Sequence, residues 1–252
     1  MKLDAKALTA MKGKSPIAML TAYNCPVARY LERSGIPVIL VGDSLAMVER
    51  GLDNTRSVTI EHMQYHVDAV RRGAPNTHII GDLPYQTYET EEAALKNARL
   101  LINAGADSVK LEGSFPEIIA VLVSNGIDVV GHTGLTPQTA NNFRQVGKDT
   151  EDAQRILREA EEITGAGAFL LVLEHIPDQL GEEVTRSVSI PTIGIGAGPA
   201  CDGQVLVIND MLGIGDYLPP FSKQYAHVGQ IVEQAAEKFK TEVENRSFLT
   251  NE

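Results

Sequence analysis

Four strand-like runs in this 252-residue chain end in an acidic residue. They are Val38–Val41 before Asp43, His78–Gly81 before Asp82, Ser108–Leu111 before Glu112, and Phe169–Leu173 before Glu174. Continuous apolar runs are typical of strands that are buried on both faces, as in a parallel sheet covered by helices. The carboxyl ends of such strands carry the chemistry of α/β folds. The four acids are therefore the feature that a fold for this chain must explain.

Amphipathic helical patterns alternate with the predicted strands and no linker interrupts them. The arrangement predicts an α/β fold, a single (β/α)8 TIM barrel spanning residues 1–252. A short helix is expected within residues 1–12. An amphipathic helix is expected at the C-terminus, with Val228, Ile231, Val232, Ala235 and Phe239 on one face.

The eighth strand is the least clearly marked element. Val205, Ile208 and Leu212 have helical spacing and Gly213 follows them as a stop. The seventh predicted strand is Pro191–Gly196. A parallel crossover needs about a dozen residues, and fewer than that separate this strand from Val205. We therefore expect a helix here and the eighth strand within Tyr217–Tyr225.

The charge of the chain limits the classes of partner. With 22 Lys and Arg against 33 Asp and Glu, the formal net charge is −11. Such a balance argues against nucleic acid as a partner, and it suggests that an anionic substrate is bound with the help of a metal ion. Cys25 and Cys201 lack metal-ligand spacing, and no apolar run approaches the ~20 residues of a membrane span. The cytoplasm is the expected compartment.

Asp43, Asp82 and Glu112 end three consecutive predicted strands, so a barrel would bring them together at its mouth. Their oxygens suit a hard cation such as Mg²⁺, which shares its coordination shell with water and substrate. The alternative is that they are unrelated surface acids that cap helices, a common role at loop starts.

Three further residues are candidates for contact with a substrate. Lys110 lies two positions before Glu112, so both side chains point into the barrel, where the lysine would bind a substrate oxygen or only a neighbouring acid. Glu174 lies across the barrel from the metal acids, which suits a general base, although it could be one more strand-end acid. His132 lies in a glycine-flanked loop, where it would form a hydrogen bond to the substrate or have only a structural role.

Two other motifs are rejected as functional sites. His62 and His66 have the i, i+4 spacing of a zinc pair but lack the HExxH context. The segment Gly194–Gly198 lacks the GxGxxG spacing of a dinucleotide site and comes late in the chain.

Taken together, the chain resembles the ketopantoate hydroxymethyltransferase family along nearly its whole length. The matching stretches are Leu20–Tyr23, Val41–Leu45, Tyr65–His66, Ala69–Pro75, Asp82–Pro84, Val109–Gly113, Gly131–His132, Gly134–Gln138, Leu171–Glu174, Ile193–Gly198 and Asp202–Val207. The resemblance implies a barrel of the phosphoenolpyruvate/isocitrate-lyase superfamily and a homo-oligomer, typically a decamer. It also implies Mg²⁺, with 5,10-methylenetetrahydrofolate as co-substrate and ketopantoate as product.

The resemblance also implies residue roles. Asp43, Asp82 and Glu112 correspond to the metal site. Asp43, Ser44, Asp82 and Lys110 correspond to the contacts of the keto acid 3-methyl-2-oxobutanoate, and Glu174 corresponds to the proton acceptor. The implied chemistry is loss of the C3 proton to give an enolate stabilised by Mg²⁺, which then attacks the one-carbon unit of the folate.

Two departures from the family pattern lie above the fifth strand. Asn141–Lys148 replaces a segment that usually contains Gly-Gly-aromatic and Val-Gln-Gly, and Thr133 replaces a usual apolar residue. Both departures are expected to change the affinity for folate relative to the family. Together with Arg50–Thr59, the divergent loop is expected to exclude water from the mouth.

Two other functions remain open. One is a carbon–carbon lyase or mutase of the same superfamily, although the Lys-Lys-Cys-Gly-His stretch typical of such lyases is absent. The other is a barrel without catalytic activity that serves as a binding protein. Four intact acids at strand ends argue against it.

Overall fold

A computed structural model describes residues 2–248 and shows eight parallel strands closed into a barrel in sequence order. The strands are β1 (Ile17–Thr21), β2 (Val38–Val41), β3 (His78–Asp82), β4 (Ser108–Lys110), β5 (Asp128–Gly134), β6 (Leu170–Glu174), β7 (Thr192–Ile195) and β8 (Gly203–Leu206). The barrel closes because β8 pairs with β1, Ile17 lying opposite Gly203. The predicted (β/α)8 barrel is confirmed.

Helices follow most of the strands. They are α1 (Ala5–Thr9), α2 (Cys25–Arg33), α3 (Leu45–Val48), α4 (Ile60–Gly73), α5 (Glu91–Ala104), α6 (Pro116–Ser124), α7 (Thr150–Gly165), α8 (Asp178–Ser187), α9 (Ile208–Leu212) and α10 (Val228–Glu244). Side chains of Asn24, Thr59 and Thr90 accept backbone hydrogen bonds and fix where α2, α4 and α5 begin. The expected helices near each end of the chain are present, although Met1 lies outside the described residues.

The interior of the barrel is apolar toward the amino ends of the strands. Buried side chains from α1 and from seven of the eight strands form one cluster, with Leu8, Met19, Ile80, Leu170 and Ile193 among its members. β4 contributes none of them. Its Ser108 and Lys110 are buried polar residues instead, so this strand brings an amine to the mouth.

The prediction for the eighth strand is wrong. Gly203–Leu206 is a strand, α9 begins at Ile208, and residues 217–225 contain no strand. Val205 and Ile208 belong to two elements separated only by Val207, so their helical spacing is a coincidence of a strand running directly into a helix. A Cβ on Gly203 would lie 2.3 Å from the Ile17 carbonyl oxygen, so glycine allows this close pairing.

The chain divides into two compact units, Met1–Leu206 and Val207–Glu252. In the described part, the first unit contains the barrel and the second contains α9, α10 and the segment between them. Within the second unit, the Tyr225 N–H donates to the Met211 carbonyl, and Ser222 donates to the Asp210 carboxylate. That the whole chain forms one barrel domain stays a prediction. Among the described residues, no helix is long and apolar enough to cross a membrane.

Candidate active site

The three acids predicted to bind metal lie together at the carboxyl ends of β2, β3 and β4. Asp43 follows β2, Asp82 ends β3 and Glu112 follows β4, and all three side chains are buried. The Asp43 N–H donates to Asp82 Oδ2 at 3.3 Å. Within residues 2–248, no three Asp, Glu, His or Cys side chains form a ready-made metal cage. The acids are therefore neighbours, but they do not by themselves form a complete set of metal ligands.

Lys110 is the cation of this cluster. Its Nζ donates to Asp82 Oδ1 and lies 3.9 Å from Glu112 Oε1. Burial alone would lower the pKa of this amine. The carboxylates of Asp82, Glu112 and Asp43 outweigh burial and raise the Lys110 pKa. The ammonium form is therefore held in the barrel mouth.

One lysine does not balance three carboxylates. Burial, with repulsion from Asp82 and Glu112, raises the pKa of Asp43 well above its ordinary value. Burial also raises the pKa of Asp82 in spite of Lys110. When all four groups are ionised, the formal charge is −2. A divalent cation would neutralise it, and oxygen donors that retain space for water and substrate suit Mg²⁺. The residues present therefore fit the implied metal.

His132 connects this cluster to Glu174. Its Nδ1 lies 3.5 Å from Glu112 Oε1 and its Nε2 lies 3.5 Å from Glu174 Oε2. Burial acts to raise the pKa of Glu112, but His132 and Lys110 outweigh it and the pKa is lowered. The imidazole thus lies between two carboxylates, at the centre of the mouth.

Glu174 differs from the metal acids in exposure and in charge partners. Its side chain keeps 17% of its accessible surface, whereas the three acids are nearly inaccessible. Burial raises its pKa well above the ordinary value, and the charge of Glu112 adds to the effect. A carboxylate with a raised pKa that still reaches the opening is suited to accept a proton.

Ser44 lies beside the acids at the start of α3. Its Oγ is 2.9 Å from the Tyr23 hydroxyl. A Cβ on Gly42 would lie 2.9 Å from Ser44 Oγ and 3.6 Å from Asp82 Oδ2, so the glycine leaves space next to both. Every site residue predicted from the sequence therefore lies at the same mouth.

Gln138 is a site residue that our reasoning from single residues missed. It is fully buried (0% exposed), and its Nε2 donates to Asp43 Oδ2 at 2.8 Å and to the Leu83 carbonyl. Its N–H donates to Glu112 Oε2 at 3.0 Å, and its Oε1 accepts from the Tyr88 hydroxyl. Neutral polar residues in loops carry no periodic signal. Only the family-like stretch Gly134–Gln138 pointed to it.

Thr133, one of the departures from the family pattern, faces α7 rather than the mouth. Its hydroxyl donates to Glu159, which also accepts from Arg155. Arg155 donates to Asp152, and Asp152 accepts the N–H of Gly147 at 2.5 Å. A hydrogen-bonded chain thus joins β5 to the end of the divergent loop.

Comparison with known proteins finds relatives along nearly the whole chain. The family model for ketopantoate hydroxymethyltransferase matches residues 2–251. A 3-methyl-2-oxobutanoate hydroxymethyltransferase of Pyrobaculum islandicum is 47% identical over 247 residues, covering 96% of this chain and 95% of the relative. That of Thermotoga maritima is 46% identical over 257 residues, covering 99% and 95%.

Solved structures of lower identity share the fold. Phosphoenolpyruvate phosphomutase from Streptomyces platensis subsp. rosaceus aligns with a TM-score of 0.67 at 14% identity, covering 98% of this chain and 89% of that chain. A 2,3-dimethylmalate lyase of the PEP mutase/isocitrate lyase superfamily aligns with a TM-score of 0.62 at 14% identity, covering 98% and 90%. The barrel is therefore of the kind found in that superfamily. With the family match over nearly all of its length, the chain belongs to the ketopantoate hydroxymethyltransferase family.

Proposed function

We propose that this protein transfers a hydroxymethyl group from 5,10-methylenetetrahydrofolate to 3-methyl-2-oxobutanoate and so forms ketopantoate (2-dehydropantoate) for pantothenate synthesis. The observation that carries the proposal is the pairing of a buried, negatively charged cluster with Glu174, a carboxylate of raised pKa across the same mouth. The curated relatives that match along the chain bear the name of this activity.

The metal of the proposed reaction is Mg²⁺, held by Asp43 and Asp82, with Glu112 binding directly or through a water. The excess of negative charge in the buried cluster and its oxygen donors support it. When bound, Mg²⁺ would act as a Lewis acid toward the carboxylate and keto oxygens of the 2-oxo acid and favour loss of the C3 proton.

The protein residues divide the remaining work. Glu174 accepts the C3 proton, and the Lys110 ammonium stabilises negative charge that develops on the substrate oxygens. Asp43 and Asp82 hold the keto acid together with Ser44. His132 donates a hydrogen bond to the substrate from its position between Glu112 and Glu174.

Transfer of the one-carbon unit completes the reaction. C3 bonds to the methylene carbon, both bonds from that carbon to the folate nitrogens N5 and N10 break, and water supplies the hydroxyl oxygen. The proton lost from C3 and one proton of the water end on the two folate nitrogens, so tetrahydrofolate is released. The loops Arg50–Thr59 and Asn141–Lys148 are proposed to limit access of other water while the carbanionic carbon is exposed.

We also propose that the protein works as a symmetric homo-oligomer, with the decamer of its family as the expected form. None of the α10 residues is buried in the single chain, and Ile231, Val232, Phe239 and Val243 are exposed. Apolar side chains in such number on one helix are typical of an interface. Sedimentation showing only a 27 kDa species at micromolar protein would contradict this.

Exchange of the C3 hydrogen of 3-methyl-2-oxobutanoate into D₂O, followed by NMR, tests the proposed function. We expect exchange that needs Mg²⁺ but not folate, and ketopantoate formation once methylenetetrahydrofolate is added. Exchange without product formation would favour a lyase or mutase. Absence of exchange with Mg²⁺ present would favour a binding protein and contradict the proposal.

A further inference from the structure

Gln138 holds one oxygen of each of two acids in the cluster. Its side-chain amide donates to Asp43 Oδ2 and its N–H donates to Glu112 Oε2. The Tyr88 hydroxyl donates to Gln138 Oε1 and to the Glu112 carbonyl. These bonds restrict the rotation of both carboxylates. Partners of this kind orient metal ligands without touching the metal.

Arg56 holds the backbone on which Gln138 lies. Its Nε donates to the Gln138 carbonyl at 3.0 Å, and its Nη2 donates to the Ala140 carbonyl at 2.8 Å and the Thr139 carbonyl at 3.3 Å. A fourth contact reaches Asn141 Oδ1 at 3.5 Å. In the described part of the chain, this side chain forms no ion pair with an acid. The Nε and Nη2 groups of the guanidinium both bind the segment 138–141.

Arg56 lies in the Arg50–Thr59 loop, next to a point where the loop is packed inward. The preceding Thr55 is only 2% exposed and Val58 is also buried, whereas residues 50–54 are exposed. The carbonyl that Arg56 binds belongs to the residue whose amide binds Asp43. Only Gln138 therefore separates a surface loop from the buried acids.

We propose that Arg56 and Gln138 form a latch that joins the two mouth loops and holds Asp43 and Glu112 in the orientation that binds a divalent cation. Both are positioning residues, and the inference rests on the metal site of the proposed function. Because coupling between two events is reciprocal, cation binding then also steadies the loops, and release of the latch weakens cation binding.

Titration calorimetry of the full chain with Mg²⁺ tests the latch without an activity assay. We expect Gln138→Met to weaken Mg²⁺ binding about 10–100-fold, the range for loss of a partner that supports a metal ligand. Arg56→Met should weaken Mg²⁺ binding about 3–10-fold, since Arg56 is one residue further from the acids than Gln138. Arg56→Lys should resemble Arg56→Met, because a single ammonium cannot reproduce the forked contacts of guanidinium.

Arg50→Met is the matched control. Arg50 lies in the same loop, is exposed, and its side chain has no hydrogen bond within residues 2–248. The Arg50→Met substitution removes one positive charge, as Arg56→Met does, and leaves the latch intact. We expect its Mg²⁺ affinity to stay within about 2-fold of the parent, the scatter for a surface charge.

Hydrogen exchange measured by mass spectrometry is the second readout. Mg²⁺ should slow amide exchange in residues 50–59 and 138–149 of the parent and of Arg50→Met, but not of Arg56→Met. A purely structural role would change exchange equally with and without Mg²⁺. If Gln138→Met fails to fold, the exposed Arg56 variants decide the question.

The outcomes separate the two proposals. A parent protein that binds no divalent cation contradicts the proposed function. A parent that binds Mg²⁺, together with Arg56→Met and Gln138→Met variants that behave like Arg50→Met, overturns the latch alone.

Discussion

The two ends of the barrel use acids in opposite ways. At the mouth, where strands end, lie Asp43, Asp82 and Glu112. At the base, where strands begin, Asp202 precedes β8 and Asp107 precedes β4. Each acid occupies an equivalent kind of position beside a strand, so their different surroundings are instructive.

The acids of the base have full sets of partners. Asp202 accepts from Lys12 Nζ at 2.8 Å and from the N–H groups of Gly13 and Thr192 at 2.9 Å. Burial acts to raise the pKa of Asp202, but these donors outweigh it and the pKa is lowered. The pKa of Asp107 is likewise lowered, against burial, by Lys2, the Ile79 N–H and Arg71.

The acids of the mouth share a single lysine. Asp43 and Asp82 have raised pKa values although Lys110 and Gln138 donate hydrogen bonds to them. An acid that has a full set of hydrogen-bond donors and cations stabilises the folded chain. A carboxylate cluster with excess charge costs stability, and fits a ligand that brings positive charge. For Asp43 and Asp82 the comparison agrees with the proposed metal site, whereas His132 and Lys110 lower the pKa of Glu112 against burial, as the donors of the base do for their acids.

Glu174→Gln is expected to have the largest effect of any substitution at the mouth. Glutamine keeps the shape of the side chain but cannot accept the C3 proton, so exchange into D₂O should slow by about 10²–10⁴-fold. Keto-acid and Mg²⁺ binding should persist. Glu183→Gln, at an exposed glutamate of α8, is the control and should match the parent. Exchange at the parent rate in Glu174→Gln would show that another group is the base.

Asp82→Asn and Asp107→Asn compare the two ends directly. Loss of a ligand should weaken Mg²⁺ binding more than the loss of a supporting partner does, so Asp82→Asn should exceed the range of about 10–100-fold. Asp107→Asn should bind Mg²⁺ like the parent while unfolding more easily, because Lys2 and Arg71 lose their partner. Calorimetry and thermal unfolding of both variants measure the two effects. Equal Mg²⁺ affinities would contradict the distinction between the ends.

The mouth acids could be predicted because strand and acid are adjacent in the sequence. Runs such as Val38–Val41 report burial on both faces, and parallel strands direct their carboxyl ends to one rim. Seven strands and the convergence of the acids follow from these local signals. The eighth strand was missed because a four-residue strand that runs into α9 imitates one helix.

The partners of the acids could not be predicted in the same way. Gln138 contacts Asp43 across 95 positions of sequence, and Arg56 reaches Gln138 across 82. Both residues lie in loops, whose paths depend on tertiary packing rather than periodicity. The contrast between mouth and base also depends on such contacts, since the sequence does not show which donors surround Asp202 and Asp43.

Asp202→Asn tests the structural side of the comparison. An amide cannot pair with Lys12 and is a weaker acceptor for the Gly13 and Thr192 N–H groups. We expect the free energy of unfolding to fall by about 1–3 kcal/mol, and the midpoint of thermal unfolding to fall by about 2–4 °C for each kcal/mol. Thermal unfolding at neutral pH measures the effect. A variant as stable as the parent would show that the network at the base is dispensable.

Asp43→Asn should have the smallest effect and the opposite sign. The pKa of Asp43 is raised in the folded state, so the folded protein keeps this proton to higher pH than the unfolded chain. Its contribution to stability is therefore present at acid pH and is lost as pH rises through the folded pKa. Without metal, Asn should stabilise the protein at neutral pH, since it removes the cost of an ionised carboxylate buried beside Asp82 and Glu112.

The pH dependence makes this last prediction decisive. The pKa of Asp202 is lowered in the folded state, so its contribution is present above the unfolded pKa and is lost as pH falls through the folded pKa. With a chelator present, the stability gained in Asp43→Asn should shrink toward acid pH, and the stability lost in Asp202→Asn should also shrink there. Adding Mg²⁺ at neutral pH should make the parent more stable than Asp43→Asn, because the parent then gains binding energy that the variant lacks. If Asp43→Asn is destabilised in the chelator at neutral pH, the mouth acids are as well balanced as those of the base, and the electrostatic argument for a cation between them is lost.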